Sequence, residues 1–445
     1  MSKRLITNAQ VVNEGAIFEA DVLIEDGRIE RVDREIVPDG GTEILDATGL
    51  HLFPGMIDDQ VHFREPGLTH KGDIDTESAA AVAGGVTSYM DMPNVRPPTT
   101  TRPLLADKYA LASRKSRANY AFYLGASNDN IDQIYSLDTN EACGVKVFMG
   151  ASTGNLLVNN PDTLNEIFAK SPVPVVTHCE DTPTILANEE VFRAKYGENV
   201  PIAFHSQIRS DQACYKSSSL AVELARHHGT RLHILHISTA LELELFSTIP
   251  SNEKRITTEA CVHHLFFDQN DYRSKGALIK CNPAIKTTRD REALIDAVND
   301  GRIDVIGTDH APHTWREKKK TYFHSPSGLP LIQHALLILL ELYHWNRLSL
   351  ETIVQKACHA PAQVFGIKER GFIREGYWAD IVLVDLDSAY TVDKSNILYK
   401  CGWSPFDEHT FRSRVWATLV NGDFAYRDGE VVDTIRGKRL DFERV

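Results

Sequence analysis

The sequence predicts an α/β protein, a (β/α)₈ TIM-type barrel with a small β-sandwich formed from both chain ends. Apolar strand candidates alternate with helix-length segments through the middle of the chain, which favours a parallel sheet with crossover helices. Eight strands is the number that closes such a barrel. An open doubly wound sheet is the alternative, but no G-x-G-x-x-G motif follows the first strand. The eight candidates are 56–63, 86–92, 120–126, 145–150, 173–180, 231–238, 255–264 and 304–313.

The two chain ends read as short strands separated by tight turns. An Asp26-Gly27 turn divides two alternating segments near the start, and Asn421-Gly422 and Asp428-Gly429 do the same near the end. Such dipeptides are typical of two-residue hairpin loops. We therefore predict a composite β-domain from residues 1–53 and 368–445, with a catalytic barrel over 54–367.

The bulk composition indicates an ordinary globular protein that acts on small molecules. The chain has 445 residues, of which 42% are hydrophobic and 24% charged, and its formal charge is -13. This charge argues against nucleic-acid or acidic-membrane partners, although local arginines can still bind an anionic substrate. The start lacks an apolar signal region, and the longest later apolar run, 335–340, is too short to span a bilayer. Seven scattered cysteines without a C-x-x-C pair indicate reduced thiols. We expect a cytoplasmic protein.

Residues that can bind a metal or carry a proton cluster at the ends of the barrel strands. Because the carboxyl ends of barrel strands converge on one face, these side chains are expected to meet there. Imidazole and carboxylate together suit Zn²⁺, which lowers the pKa of bound water to about 7 and so supplies a nucleophile. The residues are Gln60, His62, Arg64, Lys146, His178, His236, Asp309, His310 and His313.

Several blocks resemble dihydroorotases of the amidohydrolase superfamily. The likeness covers nearly the whole chain, including the split β-domain. Together the blocks are highly specific for the superfamily and fairly specific for dihydroorotase. They are 53–58, 62–67, 84–87, 92–94, 177–180, 235–239, 280–283 and 308–313.

The resemblance implies a metal centre and a proton carrier. His62 and Asp309 would bind a first metal, His178 and His236 a second, and Lys146 would bridge them as an N-carboxylated lysine. Asp309 would also be the general acid and base. The resemblance implies one or two zinc ions per subunit and a homodimer.

Two residues test this interpretation. Lys146 lies in an apolar strand, where an unpaired charge is costly, and residues 150–154 lack the aspartate that some bacterial relatives use instead. The alternative interpretation of Lys146 is a snorkelling lysine, whose amine reaches solvent, or a salt-bridged one. Gln60 stands where relatives usually have histidine, and an amide oxygen is a weaker ligand than imidazole. The first metal is therefore expected to be loosely bound or missing.

The substrate prediction rests on Arg64, whose planar fork suits a carboxylate such as that of dihydroorotate. By the resemblance, Asn94, Asn282 and His313 also contact the substrate. The alternative for Arg64 is a salt bridge to Glu65 or Asp75.

Two other functions stay open, namely an allantoinase- or hydantoinase-like enzyme and a catalytically dead scaffold. Three polar stretches receive no role. Residues 207–210 and 316–320 are predicted as solvated loops, and His263-His264 on the seventh strand are left outside the site. Whether the loop 314–328 forms a lid is not decided by the sequence.

Overall fold

The strands fall into a group from the middle of the chain and a group from its two ends. The computed structural model describes residues 3–150 and 156–444. The strands within these residues are β1 (Lys3–Asn13), β2 (Ala16–Glu25), β3 (Arg28–Asp33), β4 (Glu43–Asp46), β5 (His51–Pro54), β6 (Met56–Val61), β7 (Val86–Asp91), β8 (Asn119–Phe122), β9 (Leu124–Gly125), β10 (Val145–Phe148), β11 (Val175–His178), β12 (Leu232–Ile234), β13 (Ile256–Cys261), β14 (Val305–Gly307), β15 (Ile381–Asp385), β16 (Tyr390–Thr391), β17 (Thr410–Phe411), β18 (Arg414–Val420), β19 (Asp423–Arg427) and β20 (Glu430–Val431).

The middle strands form the predicted barrel. Strands β6, β7 and β8 pair in parallel, and β9 to β14 pair in parallel in chain order. Only Tyr123 separates β8 from β9, so these two short strands together make the third barrel strand. A parallel bridge between Val61 and His310 joins the last strand to the first and closes the ring. The (β/α)₈ fold class is confirmed.

The barrel strands are shorter than the sequence predicts, and the seventh shows why. The sequence predicts residues 255–264 as one strand, but β13 ends at Cys261 and His263-His264 lie in the following short helix. A buried strand and a buried helical turn carry the same apolar pattern, so periodicity alone does not separate them. The prediction that these histidines lie on the strand is wrong.

Helices α1 to α10 lie between consecutive barrel strands in the chain, and α11 to α14 follow the last barrel strand. Most of the longer helices begin at a polar N-cap side chain, which accepts a hydrogen bond from the first turn. Asp73, Thr101, Asn160, Asp181, Ser210 and Thr287 do so. The helices are α1 (Ile74–Ala83), α2 (Arg102–Lys115), α3 (Ile131–Tyr135), α4 (Pro161–Lys170), α5 (Thr182–Tyr196), α6 (His205–Ile208), α7 (Asp211–His228), α8 (Val262–Phe266), α9 (Tyr272–Lys275), α10 (Thr288–Asp300), α11 (Trp315–Lys318), α12 (Ala335–His344), α13 (Leu350–Val354) and α14 (Ala360–Phe365).

The apolar run at 335–340 forms most of α12, and all six of its residues are buried. It is therefore a core helix. Among the described residues, no helix combines the length and the apolar character that a bilayer crossing requires.

Strands from both chain ends form one nine-stranded sheet. Its order is β20-β19-β18-β15-β5-β1-β2-β3, and β4 pairs beside β1. The contact between β5 and β15 joins the two ends of the chain, with Leu52 opposite Leu383. One face buries a cluster of aliphatic side chains from both ends, among them Val22, Ile24, Ile381 and Leu419.

The three predicted hairpin turns are present. Asp26-Gly27 joins β2 to β3, Asn421-Gly422 joins β18 to β19, and Asp428-Gly429 joins β19 to β20. All six residues have positive φ, from 50° at Asp26 to 92° at Gly429. A turn with positive φ at both central positions matches the right-handed twist of paired strands, which is why Asn-Gly and Asp-Gly mark it in a sequence.

Candidate active site

One cavity at the carboxyl ends of the barrel strands collects the side chains predicted to bind metal or substrate. His310, expected at the same face, lies outside the cavity lining, and its ring nitrogens bond Glu77 and the backbone N–H of Leu331. The volume of the cavity is about 280 Å³. Phe148, Ala311 and the segment 326–328 complete its wall. The chemical roles of the assigned residues stay predictions, but their convergence is observed. They are Gln60, His62, Arg64, Asn94, Lys146, His178, His236, Asn282, Asp309 and His313.

The backbone is strained where the strands end in this cavity. Arg64, His236 and Asp309 have φ values of 68°, 39° and 48°. Non-glycine residues rarely adopt this left-handed region, at a cost of about 1–3 kcal/mol each, and such residues cluster at functional sites. The sharp turn lets each strand end aim its side chain into the cavity.

On one side of the cavity, His62 and Asp309 form a close pair. His62 Nε2 lies 2.9 Å from Asp309 Oδ1, and His62 Nδ1 lies 2.7 Å from Asn94 Oδ1. A neutral imidazole that donates Nδ1–H to Asn94 keeps a lone pair on Nε2, which then faces the carboxylate. Two electron-pair donors at this distance need a proton or a metal cation between them.

Gln60 contacts the same carboxylate through its amide nitrogen. Nε2 donates to Asp309 Oδ1 over 3.1 Å, and Oε1 lies 3.8 Å from Cys261 Sγ. In this arrangement Gln60 orients Asp309. Its predicted role as a metal ligand stays a prediction.

A second pair lies on the neighbouring wall. His178 Nδ1 is 2.9 Å from His236 Nε2, and His178 Nε2 is 2.9 Å from Glu180 Oε2. Burial lowers the pKa of both imidazoles, and this effect is strongest at His236. Both rings are therefore neutral near pH 7 and keep a lone pair for a metal.

Glu180 fixes the orientation of His178. This carboxylate is fully buried, which by itself would raise its pKa, but Arg209 and His178 outweigh burial and lower it to about 2. Arg209 Nη1 donates to Glu180 Oε2 over 2.5 Å. A carboxylate behind a ligating histidine fixes its tautomer and ring orientation. Because Arg209 bonds Glu180, the prediction that residues 207–210 are a solvated loop without a role is wrong for Arg209. The sequence shows this residue only as a single charge near the start of a helix, and that signal does not reveal its partner.

Among the predicted metal ligands, Lys146 alone has a buried polar atom without a hydrogen-bond partner in the described part of the chain. The side chain is fully buried in β10, and Nζ has no hydrogen-bond partner among the described residues. Burial lowers its pKa to about 8, against the opposing effect of Asp309 and Glu259. The salt-bridged and snorkelling alternatives therefore do not apply. Residues 151–154, where the sequence offers no aspartate, lie outside the described part of the chain.

This donor set fits a divalent metal ion. Two neutral imidazoles, a histidine that faces a carboxylate, and an unpartnered lysine amine converge on one cavity. Nitrogen and oxygen donors of this kind are those that zinc takes in catalytic sites. An amine becomes an anionic oxygen ligand once it is carboxylated, and the orphaned Nζ leaves room for that change.

Arg64, in contact with His313, makes one end of the cavity positive. Arg64 Nε donates to Pro312 O over 3.1 Å, and Nη2 lies 3.1 Å from His313 Nε2. Burial lowers the pKa of Arg64 to about 10, so it remains charged at neutral pH. The salt-bridge alternatives are wrong, because Glu65 pairs with Lys115 and Asp75 pairs with Arg117.

Lys71 belongs to this positive end and was missed by the sequence analysis. Its Nζ lies 3.0 Å from His313 Nδ1 and 3.1 Å from Glu317 Oε1. Burial and the charges of Arg64 and Lys71 hold the pKa of His313 well below its usual value. The sequence signal that could have identified Lys71 is its position in the loop that follows Arg64.

The loop after the eighth strand is pinned to the cavity by a buried lysine. Lys318 Nζ donates to the carbonyl oxygens of Lys280, Pro326 and Gly328 over 2.9–3.0 Å, and its side chain is 1% exposed. The prediction that 316–320 is a solvated loop is wrong for Lys318. Within the basic run 316–320, the Lys318 side chain is buried and donates to three backbone carbonyls.

Known proteins of one family resemble this chain over nearly its whole length. The profile of the amidohydrolase family matches residues 51–425. A dihydroorotase from Methanothermobacter thermautotrophicus is 31% identical over 415 residues, which are 92% of this chain and 91% of that protein. An allantoinase from Bacillus velezensis is 31% identical over 433 residues, covering 96% and 94%. The solved L-hydantoinase (dihydropyrimidinase) from Arthrobacter aurescens superposes with a TM-score of 0.93 at 27% identity, covering 99% and 100%.

Proposed function

Because this chain belongs to the amidohydrolase family, we propose that it is a dihydroorotase of de novo pyrimidine biosynthesis. It would reversibly hydrolyse the cyclic amide of (S)-dihydroorotate to N-carbamoyl-L-aspartate. One observation carries this choice of substrate. Arg64 is 6% exposed, lines the cavity, and forms none of the ion pairs found among the described residues. A buried charge is costly unless a partner compensates it, and the substrate carboxylate is that partner.

His62, His178, His236, Asp309 and carboxylated Lys146 would hold one or two zinc ions. A bound metal would lower the pKa of a water molecule and polarise the ring carbonyl of the substrate. Glu180 supports the arrangement by keeping His178 oriented.

Asp309 is the proton carrier in this proposal. Gln60 and His62 both contact Oδ1 and so fix the carboxylate in the cavity. The carboxylate accepts a proton from the attacking water and delivers it to the ring nitrogen as the C–N bond breaks. In the reverse direction, the protonated acid starts the cycle.

Arg64, Asn94, Asn282 and His313 orient the substrate. Asn282 Oδ1 is buried and has no hydrogen-bond partner among the described residues, so it is available to accept a ring N–H. A site with such polar groups rejects analogues that leave them unpaired.

Allantoinase- and hydantoinase-like activity is the second candidate, since proteins with those names are among the relatives. Allantoin and hydantoin lack the carboxylate that Arg64 would bind. Ring opening of dihydroorotate, allantoin and hydantoin should be compared on one metal-analysed sample. We expect dihydroorotate to have the highest kcat/KM. A preference for either other ring would overturn the substrate, and a metal-loaded protein inactive on all three would point to a scaffold.

The proposal extends to a cytoplasmic homodimer that acts on a small anionic substrate, without nucleic-acid or membrane partners. Light scattering during gel filtration would measure the oligomeric state, and a monomer at assay concentration would contradict the dimer.

A further inference from the structure

A second group of possible metal ligands lies inside the barrel, apart from the residues that line the cavity. Asp59 in β6, His233 in β12 and Glu259 in β13 are each at most 1% exposed. One ligand atom from each lies within 4.8 Å of the other two. β6 is separated from β12 by two strands, so these side chains meet across the inside of the ring. The mechanism above uses none of them.

The hydrogen bonds of His233 decide whether its Nε2 carries a hydrogen or a lone pair. Nδ1 lies 2.8 Å from Thr257 Oγ1, and the Thr257 hydroxyl donates its own hydrogen to Leu232 O. Thr257 therefore accepts from His233 Nδ1–H. In the neutral imidazole, Nε2 then carries a lone pair. This atom faces Asp59 Oδ2 at 3.0 Å, and two lone pairs at that distance need a positive charge between them.

The carboxylate oxygens around this point are also unsatisfied. Asp59 Oδ1 and Oδ2 and Glu259 Oε2 have no hydrogen-bond donor among the described residues. Buried polar atoms without a partner are rare in native proteins, because an unsatisfied buried group destabilises the fold, and a charged one most of all. A proton on His233 would satisfy Asp59 Oδ2 alone, and it would leave Asp59 Oδ1 and Glu259 Oε2 unpaired.

Gly307 in β14 leaves the space in which the two carboxylates converge. A Cβ at this position would come within 2.8 Å of Glu259 Oε2 and 2.9 Å of Asp59 Oδ1. Any side chain larger than glycine would therefore push the two oxygens away. Two carboxylates in one buried site repel each other unless a proton or a metal cation lies between them.

We propose that Asp59, His233 and Glu259 bind a divalent transition-metal ion such as Zn²⁺ inside the barrel, in addition to the metal centre of the cavity. Two carboxylates and one imidazole are ordinary zinc ligands. Bond lengths of about 2.0–2.2 Å place the ligands of a tetrahedral zinc roughly 3.3–3.6 Å apart. That separation lies within the range spanned by the three groups.

This ion would support the floor of the active site. Glu259 Oε1 accepts from the backbone N–H of His236 over 3.0 Å, and Asp59 directly precedes Gln60. A cation that fixes both carboxylates therefore fixes the backbone beside two cavity residues. It performs no chemistry on the substrate.

The deciding experiment is crystallography of the wild-type protein loaded with Zn²⁺, with anomalous data collected on both sides of the zinc absorption edge. We expect a zinc peak bonded to Asp59, His233 and Glu259, besides any peak in the cavity. Absence of that peak at saturating zinc, with the three side chains ordered, overturns the proposal. Neither result depends on substrate, so the test is separate from the proposed dihydroorotase activity.

Metal analysis of variants gives a second measurement. Asp59→Asn should lose one zinc equivalent per chain relative to wild type, and Gly307→Ala should do the same by filling the space. Asp58→Asn is the matched control, since Asp58 is an equally buried neighbour that bonds Thr308 and is outside this ligand set. It should keep the full content. Equal zinc content in Asp59→Asn and wild type contradicts the proposal, and if Asp59→Asn fails to fold, the wild-type crystal decides.

Discussion

At the scale of single residues, Lys146 shows how burial changes what a side chain can do. Lys108 is equally buried, but it pairs with Asp91 at 2.7 Å and donates to Met92 O. Lys146 Nζ has no such partner among the described residues. An unpaired buried amine is neutral more readily, and the neutral amine is the form that reacts with carbon dioxide.

Lys146 is therefore expected to carry one carboxyl group in the metal-loaded enzyme. Native mass spectrometry should show the added mass of one carbon dioxide, and high-resolution density should locate it on Lys146 while Lys108 stays unmodified. Lys146→Ala should lose metal and activity, with partial rescue by short-chain carboxylic acids. An unmodified Lys146 in active, metal-loaded enzyme would contradict the prediction that this lysine is carboxylated.

Arg64 gives the prediction on substrate recognition. Arg64→Lys keeps the charge but loses the planar fork, so dihydroorotate binding should weaken by about 1–3 kcal/mol, the scale of a charge-assisted hydrogen bond. Steady-state kinetics would measure this as a rise in KM and a fall in kcat/KM. Arg96→Lys, an exposed neighbour, is the control and should behave as wild type. Unchanged kinetics in Arg64→Ala would remove the substrate assignment.

Asp309 gives the prediction on proton transfer. Because a base must start deprotonated and an acid protonated, hydrolysis should rise with pH to a plateau while ring closure of carbamoyl-aspartate falls over the same range. Asp309→Asn keeps the shape but cannot exchange the proton, so both rates should fall by about 10²–10⁴-fold at matched metal content. Near-normal rates would remove Asp309 from the mechanism and move the base to His313, because the two ring nitrogens of His310 bond Glu77 and the backbone N–H of Leu331.

At the scale of elements, the loop 314–328 is a fixed wall of the cavity in this structure. α11 begins it with a capping box between Thr314 and Glu317. Lys280 Nζ donates to Tyr322 O and Ser325 O, and Lys318 holds the end of the loop. If the loop opened, these backbone carbonyls would lose their hydrogen-bond donors, and the buried amines of Lys280 and Lys318 would lose their acceptors.

Lys318→Met should therefore loosen this loop, since three buried carbonyls lose their donor at about 1–3 kcal/mol for each unsatisfied group. Hydrogen exchange of amides in 319–328 should speed up, and KM should rise more than kcat falls because Pro326 to Gly328 form part of the cavity wall. Lys320→Met, at an exposed position in the same run, should change neither. Equal exchange in the two variants would show that Lys318 does not hold the loop.

At the scale of the whole molecule, a buried polar network joins the terminal sheet to the barrel. Asp380, just before β15, accepts hydrogen bonds from Arg370, from Asn119 of barrel strand β8 and from the backbone N–H of Asn421. Arg370 and Asp380 are each about 3% exposed. Asn119 and Asn421, which are 302 residues apart in the chain, thus both depend on this one carboxylate.

Asp380→Asn should destabilise the protein by about 3–5 kcal/mol, because it leaves the buried Arg370 without its counter-charge. Denaturant unfolding would measure the loss. Asp428→Asn is the control, since its pairing with Arg427 is exposed and worth about 0–1 kcal/mol. A loss at Asp380 no larger than that at Asp428 would contradict the coupling.

The sequence by itself determined those features that depend on local pattern. Period-two alternation predicted the strands of the two chain ends, and apolar segments separated by helix-length stretches predicted those of the barrel. Asn-Gly and Asp-Gly predicted hairpins whose residues have positive φ. His62, His178, His236 and Asp309 were found because a parallel barrel sends every strand's carboxyl end to one face. That rule turns positions along the chain into neighbours in space without any knowledge of contacts.

Only the tertiary structure decided the partners of polar side chains. Lys318 and Lys320 belong to one basic run, yet the first is buried and the second is exposed. Arg209 reaches Glu180, Lys71 reaches His313, and Asp59 meets His233 across the barrel. A charged residue carries the same local signal whether it faces water or a distant carboxylate. Its environment is set by contacts between segments that lie far apart in the chain, and no local pattern encodes them.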